Sequence, residues 1–161
     1  MIFMGIDPGL NKTGIGIVKG SKNKVDYITH KLITTDAKKP LPERLGKIIS
    51  GISDVVIEYK PEIAAVENIF TSINAKSALL LGQARGAIIG ALIAHDVKVK
   101  EFTALQIKKA ITGYGKAEKE QVKKLVEVHL NILFKGVPLD VTDALACGIC
   151  LAYSETGGIS L

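Results

Sequence analysis

The chain has few of the residues that mark disulfide-rich or zinc-binding proteins. It contains two cysteines, Cys147 and Cys150, three histidines and no tryptophan. Two close cysteines in an apolar run indicate small core residues in a reducing compartment rather than a disulfide framework or a redox pair. Because no second cysteine pair and no nearby histidine accompany them, a zinc site is not expected.

Three further absences narrow the function classes. We find no run of about 18 apolar residues of the kind that spans a membrane. The first seven residues lack the basic region of a signal peptide and reach an acid at Asp7. No glycine-rich loop ends in Gly-Lys-Ser/Thr, which excludes a P-loop nucleotide site. We therefore expect a cytoplasmic protein without a membrane partner.

Length and charge indicate the number of domains and the kind of partner. The chain has 161 residues, 47% of them hydrophobic, which fits a single domain over residues 1–161 with a substantial core. Its formal net charge is +5, and this surplus favours a polyanionic partner.

Hydrophobic periodicity predicts an α/β protein with a mixed five-stranded sheet and helices on both faces. Strands are predicted at 2–7, 13–18, 24–34, 63–67 and 97–102. Helices are predicted at 40–59, 74–95, 103–110, 117–133 and 140–153. Small residues recur along the second of these helices, which indicates the close approach of another helix and makes it the candidate dimer surface.

Four carboxylates stand at predicted element ends: Asp7, Glu67, Asp140 and Asp143. Each has an ordinary explanation taken alone. Asp7 fits an Asx-turn, Glu67 a solvated strand end, and the other two the acidic first turn of a helix. Taken together they indicate more, because neighbouring first and fourth strands would bring Asp7 and Glu67 to one edge of the sheet.

Acids this close repel one another and stay ionised only beside cations. Oxygen-only ligands suit Mg²⁺, with Mn²⁺ as a substitute. Two such ions about 3.5–4 Å apart stabilise the attacking and leaving oxygens of a phosphodiester displacement. The pattern thus predicts a two-ion hydrolytic site.

Residues 98–124 contain eight lysines and three acids, an excess equal to the net charge of the whole protein. Such a local excess indicates a phosphate-binding surface, although a solvated helix face explains Lys123 and Lys124 equally well.

Phe70 follows the predicted Glu67 strand in a polar loop. It is either a loop anchor packed on the core or a side chain that stacks against a distorted base.

Several motifs, in order along nearly the whole chain, resemble the RuvC family of Holliday junction resolvases. They are Gly5-Ile6-Asp7-Pro8-Gly9, Val66-Glu67-Asn68-Ile69-Phe70, Leu81-Gly82-Gln83-Ala84-Arg85-Gly86, Gly113-Tyr114-Gly115-Lys116-Ala117 and Asp140-Val141-Thr142-Asp143-Ala144. The resemblance implies a ribonuclease H-like fold and a homodimer that nicks a four-way DNA junction symmetrically. It also implies a branch-migration motor as a partner.

The resemblance further implies roles for particular residues. Asp7, Glu67, Asp140 and Asp143 would be catalytic and would hold two Mg²⁺ ions. The predicted DNA contacts are Phe70, Arg85, Lys108, Lys116 and Lys119, with Lys108 and Lys119 at family positions near the scissile phosphate.

Three other functions remain open from the sequence. An actin-like ATPase or sugar kinase shares the Asp7-x-Gly9 hairpin, but those folds need two lobes to enclose a nucleotide. A nuclease of the same fold that acts on other nucleic acids is the second alternative. A catalytically inactive binding module is the third, and the presence of all four carboxylates argues against it.

Overall fold

Five strands and five helices follow the order expected from the sequence in a computed structural model, which describes residues 1–22, 24–68 and 74–157. The strands are β1 Ile2–Asp7, β2 Lys12–Ser21, β3 Lys24–Thr34, β4 Ile63–Asn68 and β5 Lys98–Thr103. The helices are α1 Leu41–Tyr59, α2 Ala75–Ala94, α3 Ala104–Thr112, α4 Lys119–Leu130 and α5 Leu139–Thr156.

The strands form one mixed sheet in the order β3-β2-β1-β4-β5. The first three are antiparallel neighbours, whereas β4 pairs in parallel with both β1 and β5. The predicted fold class and the predicted adjacency of the first and fourth strands are both confirmed.

Two hydrophobic cores lie on opposite faces of the sheet, and each packs beneath a different set of helices. Alternate residues of β1 point to opposite sides, as a strand requires. Phe3 joins the core beneath α3, α4 and α5, and Met4 and Ile6 join the core beneath α1 and α2. Asp7, next in the alternation, therefore lies on the α5 side of the sheet.

Helix α5 crosses directly over β1 and β2 because two glycines allow it. A Cβ at Gly5 would overlap the carbonyl oxygen of Ala144 and the backbone nitrogen of Gly148. A Cβ at Gly14 would overlap the carbonyl oxygen of Asp140. This backbone contact brings the first turn of α5 to the end of β1.

Cys147 and Cys150 lie buried in the middle of α5, as predicted. Burial raises the pKa of the Cys150 thiol to about 12 and raises that of Cys147 well above its usual range. Both thiols therefore stay protonated and unreactive in the folded protein.

The prediction that α4 extends to residue 133 is wrong. Asn131 adopts the left-handed conformation, with φ of 52°, and its backbone nitrogen donates to the carbonyls of Glu127 and Val128. Asparagine tolerates this conformation and ends helices for that reason.

One helix bears on the expectation that the chain contains no membrane span. Within the described residues, α2 is long and apolar enough to cross a membrane by length and composition alone, with about a fifth of its most apolar stretch buried. Its inner side packs on α1 and the sheet. Arg85 reaches β4 and β5 from the same helix. These contacts explain part of its apolar content as protein packing.

Candidate active site

Asp7 and Glu67 meet at one edge of the sheet because β1 and β4 run in parallel and end together. Ile6 is paired with Val66, so the two acids follow one step later on adjacent strands. Burial, followed by the charges of Glu67, Asp143 and Asp140, raises the pKa of Asp7 to about 8. Burial and the Asp143 charge raise the pKa of Glu67 as well.

The first two turns of α5 supply the other two acids. Asp143 lies in the same cavity as Asp7 and Glu67, and burial raises its pKa. Lys119 Nζ donates to Asp143 Oδ2 at 3.3 Å and partly offsets that shift. Asp140 is half-buried and acts electrostatically on both Asp7 and Asp143. It does not line the cavity, so it stands at the margin of the group.

The four acids lie near one another because of where their backbone is placed, and not because their side chains contact each other. Among the described residues, no three acidic, histidine or cysteine side chains stand close enough, as they are placed, to enclose an ion. Lys119 pairs with Asp143, and within the described residues no ion pair offsets the charges of the other three acids.

The donor chemistry nevertheless fits a hard divalent cation. The site offers carboxylate oxygens alone, which is the ligand type that Mg²⁺ and Mn²⁺ prefer. The raised pKa of Asp7 shows that its charge lacks sufficient compensation from the protein. A bound cation would supply that compensation.

A cavity of about 420 Å³ opens over the acids. Helix α3 forms one wall and α4 and α5 form another, so much of the lining is apolar. The lining residues are Asp7, Glu67, Asn68, Thr103, Ala104, Leu105, Ile107, Lys108, Lys119, Val122, Asp143 and Ala146. The cavity therefore combines acids, lysines and an apolar wall. Such a lining suits a ligand with an anionic group joined to an apolar group.

The predicted DNA contacts occupy different positions. Lys108 and Lys119 line the cavity, and both lower the pKa values of Glu67 and Asp143. Lys116 is exposed between α3 and α4 and does not line the cavity. Phe70 lies outside the described residues.

Arg85 has structural contacts that the sequence did not indicate. Its Nε donates to the carbonyl oxygen of Glu67 at 3.4 Å, and its Nη2 pairs with Glu101. These contacts tie α2 to the ends of β4 and β5. Arg85 therefore supports the strand end that presents Glu67, and its contact with DNA stays a prediction.

Seven of the twelve lining residues were missed from the sequence, among them Asn68, Thr103 and Leu105. Asn68 directly follows Glu67 at the end of β4, which was a usable signal. Thr103 was recognised only as a helix cap, and the capping box with Gln106 is indeed formed. Leu105 is 58% exposed at the mouth of the cavity, and no periodicity singles it out.

Comparisons with known proteins agree with this geometry. Residues 3–151 match the sequence model of the family described as "Crossover junction endodeoxyribonuclease RuvC". A curated protein of that name from Citrifermentans bemidjiense is 46% identical over 154 residues, covering 96% of this chain and 93% of the relative. The chain belongs to the RuvC family.

Solved structures support the same placement. Thermus thermophilus RuvC in complex with Holliday junction substrate superposes with a TM-score of 0.92 at 31% identity, covering 98% of this chain and 96% of that one. The yeast mitochondrial Holliday junction resolvase superposes with a TM-score of 0.67 at 12% identity, which shows a shared fold. Membership of the RuvC family makes the chain a nuclease and removes the kinase alternative.

Proposed function

We propose that the chain is a Holliday junction resolvase that introduces paired symmetric nicks during recombination and repair, acting as one nuclease domain over residues 1–161. The observation that carries the proposal is the group of carboxylates at the ends of β1, β4 and the start of α5, beside Lys108 and Lys119. The Thermus thermophilus relative solved with junction DNA supports the choice of substrate.

Asp7, Glu67, Asp140 and Asp143 are the residues that would hold two Mg²⁺ ions, with Mn²⁺ as a substitute. Two ions held there would polarise the phosphoryl oxygen, activate a water and stabilise the leaving oxygen. The protein's part is to hold the oxygen ligands on two strand ends and one helix start. Arg85 fixes the Glu67 end through its backbone carbonyl.

Lys108 and Lys119 bind the scissile phosphate in this proposal. Both lie on the cavity wall next to the acids, so a phosphate that reaches the acids also meets their ammonium groups. Lys119 is held in place by Asp143, whose charge raises the pKa of this lysine and keeps it protonated. Lys116 and Arg85 would add contacts outside the cavity, and Phe70 would stack on a distorted base at the junction centre.

Helix α2 is the proposed homodimer surface. Leu79 and Ile93 are 64% and 61% exposed on it. Added Cβ atoms at Gly82, Gly86 and Gly90 would meet no atom of the described residues within 4 Å. An exposed apolar helix with so little bulk lets a second helix approach closely. A dimer provides the two sites that paired cuts require.

The cellular setting follows from the substrate. A DNA substrate inside a bacterial cell lies in the cytoplasm, so we place the protein there. A branch-migration motor is the expected partner, since a resolvase acts on junctions that such a motor moves.

Substrate selectivity tests the proposed function. The purified protein would be incubated in Mg²⁺ with a mobile four-way DNA junction, the matching linear duplex and an RNA–DNA hybrid. The proposal expects paired nicks at symmetric positions on the junction and little cutting of the other two substrates. Equal cutting of the duplex or the hybrid would contradict it and would favour a general nuclease of the same fold.

A further inference from the structure

A second cavity lies on the α1 side of the sheet, at the same edge as the acids. It has a volume of about 240 Å³. It is formed where β3 has ended and α1 begins. Its lining residues are Thr35, Asp36, Lys39, Glu43, Arg44 and Lys47.

Arg44 is 9% exposed, yet no carboxylate pairs with it within residues 1–22, 24–68 and 74–157. Its Nε donates to Thr35 Oγ1 at 2.9 Å, and its Nη2 donates to Leu10 O at 3.3 Å and to Asn11 Oδ1. All three acceptors are neutral. A buried guanidinium without a counter-ion is unfavourable and attracts an anion.

The remaining nitrogen of Arg44 is open to solvent. Nη1 has no hydrogen-bond acceptor among the described residues. No buried side-chain nitrogen in that part of the chain lacks a partner, so Nη1 is in contact with solvent. Arg44 lines the cavity, which is where solvent reaches it.

The other charges leave a positive surplus in the cavity. Lys39 forms an ion pair with Glu43 at 3.6 Å, so these two offset each other. Asp36 Oδ1 accepts from the backbone nitrogen of Lys38 at 2.9 Å, and the lining as a whole carries three cationic and two acidic side chains, a surplus of one positive charge. Lys47 has no acidic partner within the described residues. A guanidinium nitrogen beside a free ammonium is a pairing that binds phosphate.

The position of the cavity indicates which molecule would supply a bound phosphate. Arg44 holds Leu10 and Asn11, which come three and four residues after Asp7. The chain spans at most about 3.5 Å per residue, so these residues lie within roughly 10–14 Å of Asp7. One DNA strand carries a phosphate every 3.4 Å or so of helix axis. A strand cut at Asp7 and lying across this edge therefore brings another phosphate to the cavity.

We propose that the cavity formed by Arg44 and Lys47 binds a backbone phosphate of the DNA strand being cut, within a few nucleotides of the cut. This inference rests on the proposed function. It adds a second anchor on the opposite face of the sheet from Lys108 and Lys119, and two anchors fix the direction of the strand across the acids.

Lys47→Gln is the test variant, because Arg44 also fastens the turn after Asp7 and its loss would disturb the fold. Lys19→Gln is the matched control: Lys19 is also exposed, but it lies toward the opposite end of the sheet. Junction binding is measured in EDTA over a range of salt concentrations. We expect Lys47→Gln to lower the slope of log K against log salt by about 0.9 for each occupied cavity, and Lys19→Gln to leave it unchanged.

Neutral methylphosphonates placed singly along the strand locate the contact. The wild-type protein should lose affinity about three- to tenfold at one position within a few nucleotides of the cut, and Lys47→Gln should show a smaller loss there, because only Arg44 still contacts that phosphate. Equal salt slopes for the two variants, or a penalty in Lys47→Gln identical to that of wild type, would overturn the inference.

Two further outcomes separate related ideas. If inorganic phosphate raises the melting temperature of wild type but not of Lys47→Gln, while the salt slopes are equal, the cavity serves a free anion and the DNA contact is refuted. If wild-type protein neither binds nor cuts the junction, the proposed function fails and this inference fails with it. If wild type cuts the junction normally and Lys47→Gln has the same salt slope as Lys19→Gln, this inference is refuted and the proposed function stands.

Discussion

Replacing Asp7 with asparagine is expected to stabilise the protein when no divalent cation is present. The folded protein raises the pKa of Asp7 from its ordinary value of 3.8 to about 8. Between these values the unfolded chain releases the Asp7 proton while the folded chain keeps it. Folding stability therefore falls as pH rises from about 4 to about 8 and changes little above that range.

The size of the effect follows from the same shift. Each pKa unit corresponds to 1.36 kcal/mol, so at pH 7 the need to keep Asp7 protonated in the folded protein destabilises the fold by at most about 4 kcal/mol. An asparagine amide with poor hydrogen-bond partners in the site costs about 1–3 kcal/mol, which offsets part of the stability gained by removing the carboxyl group. We expect a net stabilisation of about 1–3 kcal/mol, or a rise in melting temperature of roughly 3–10 °C.

Thermal unfolding in EDTA at pH 5, 6, 7 and 8 measures this directly. Asp54→Asn is the control, because Asp54 is an exposed acid on α1, across the sheet from the acids. Wild type and the control should lose stability with rising pH in parallel, and Asp7→Asn should lose less. Mg²⁺ should stabilise wild type more than Asp7→Asn at pH 8. An Asp7→Asn protein that is no more stable than wild type at pH 8 in EDTA would refute the electrostatic reasoning.

Four further changes have expected outcomes. Lys119→Gln should slow junction cleavage at least about tenfold, because it removes the ammonium group that faces Asp143 and the phosphate; single-turnover kinetics measure this. Gly5→Ala should lower the free energy of unfolding by about 3 kcal/mol or more, since its Cβ overlaps the α5 backbone; denaturant unfolding measures this. Leu79→Glu should convert a dimer into a monomer in light scattering, because a charge enters an exposed apolar face. Phe70→Ala should keep the wild-type melting temperature and lose junction cleavage.

Each of these changes has a control or a contradicting result. Lys124→Gln removes an exposed charge from α4 and should cleave normally. Gly46→Ala fills open space on α1 and should be neutral or slightly stabilising. Leu133→Glu adds a charge to an equally exposed leucine outside α2 and should leave the dimer intact. Wild-type turnover by Phe70→Ala would end the stacking hypothesis.

The sequence predicted most of the fold because its strands are short apolar runs bounded by turns. The Asp7–Glu67 adjacency was predictable too, since it requires only that the first and fourth strands be parallel neighbours. The position of α5 was not, because Gly5 and Gly14 show their effect only once a helix is placed over them.

Long-range polar contacts were also beyond sequence reasoning. The ion pair between Lys119 and Asp143 joins residues 24 positions apart, and the hydrogen bond from Arg44 to Leu10 joins residues 34 apart. Periodicity identified the face of α1 that is buried, but it does not indicate that an arginine is buried within it. These partners decide the electrostatics of the two cavities.

Junction cleavage by Asp7→Asn, measured beside junction binding by the same protein, tests the central claim most directly. The account predicts that in Mg²⁺ the variant binds the four-way junction about as tightly as wild type and makes no paired nicks, while Asp54→Asn cuts normally. Cleavage by Asp7→Asn at the wild-type rate would contradict the assignment of the carboxylates as the catalytic, metal-binding centre.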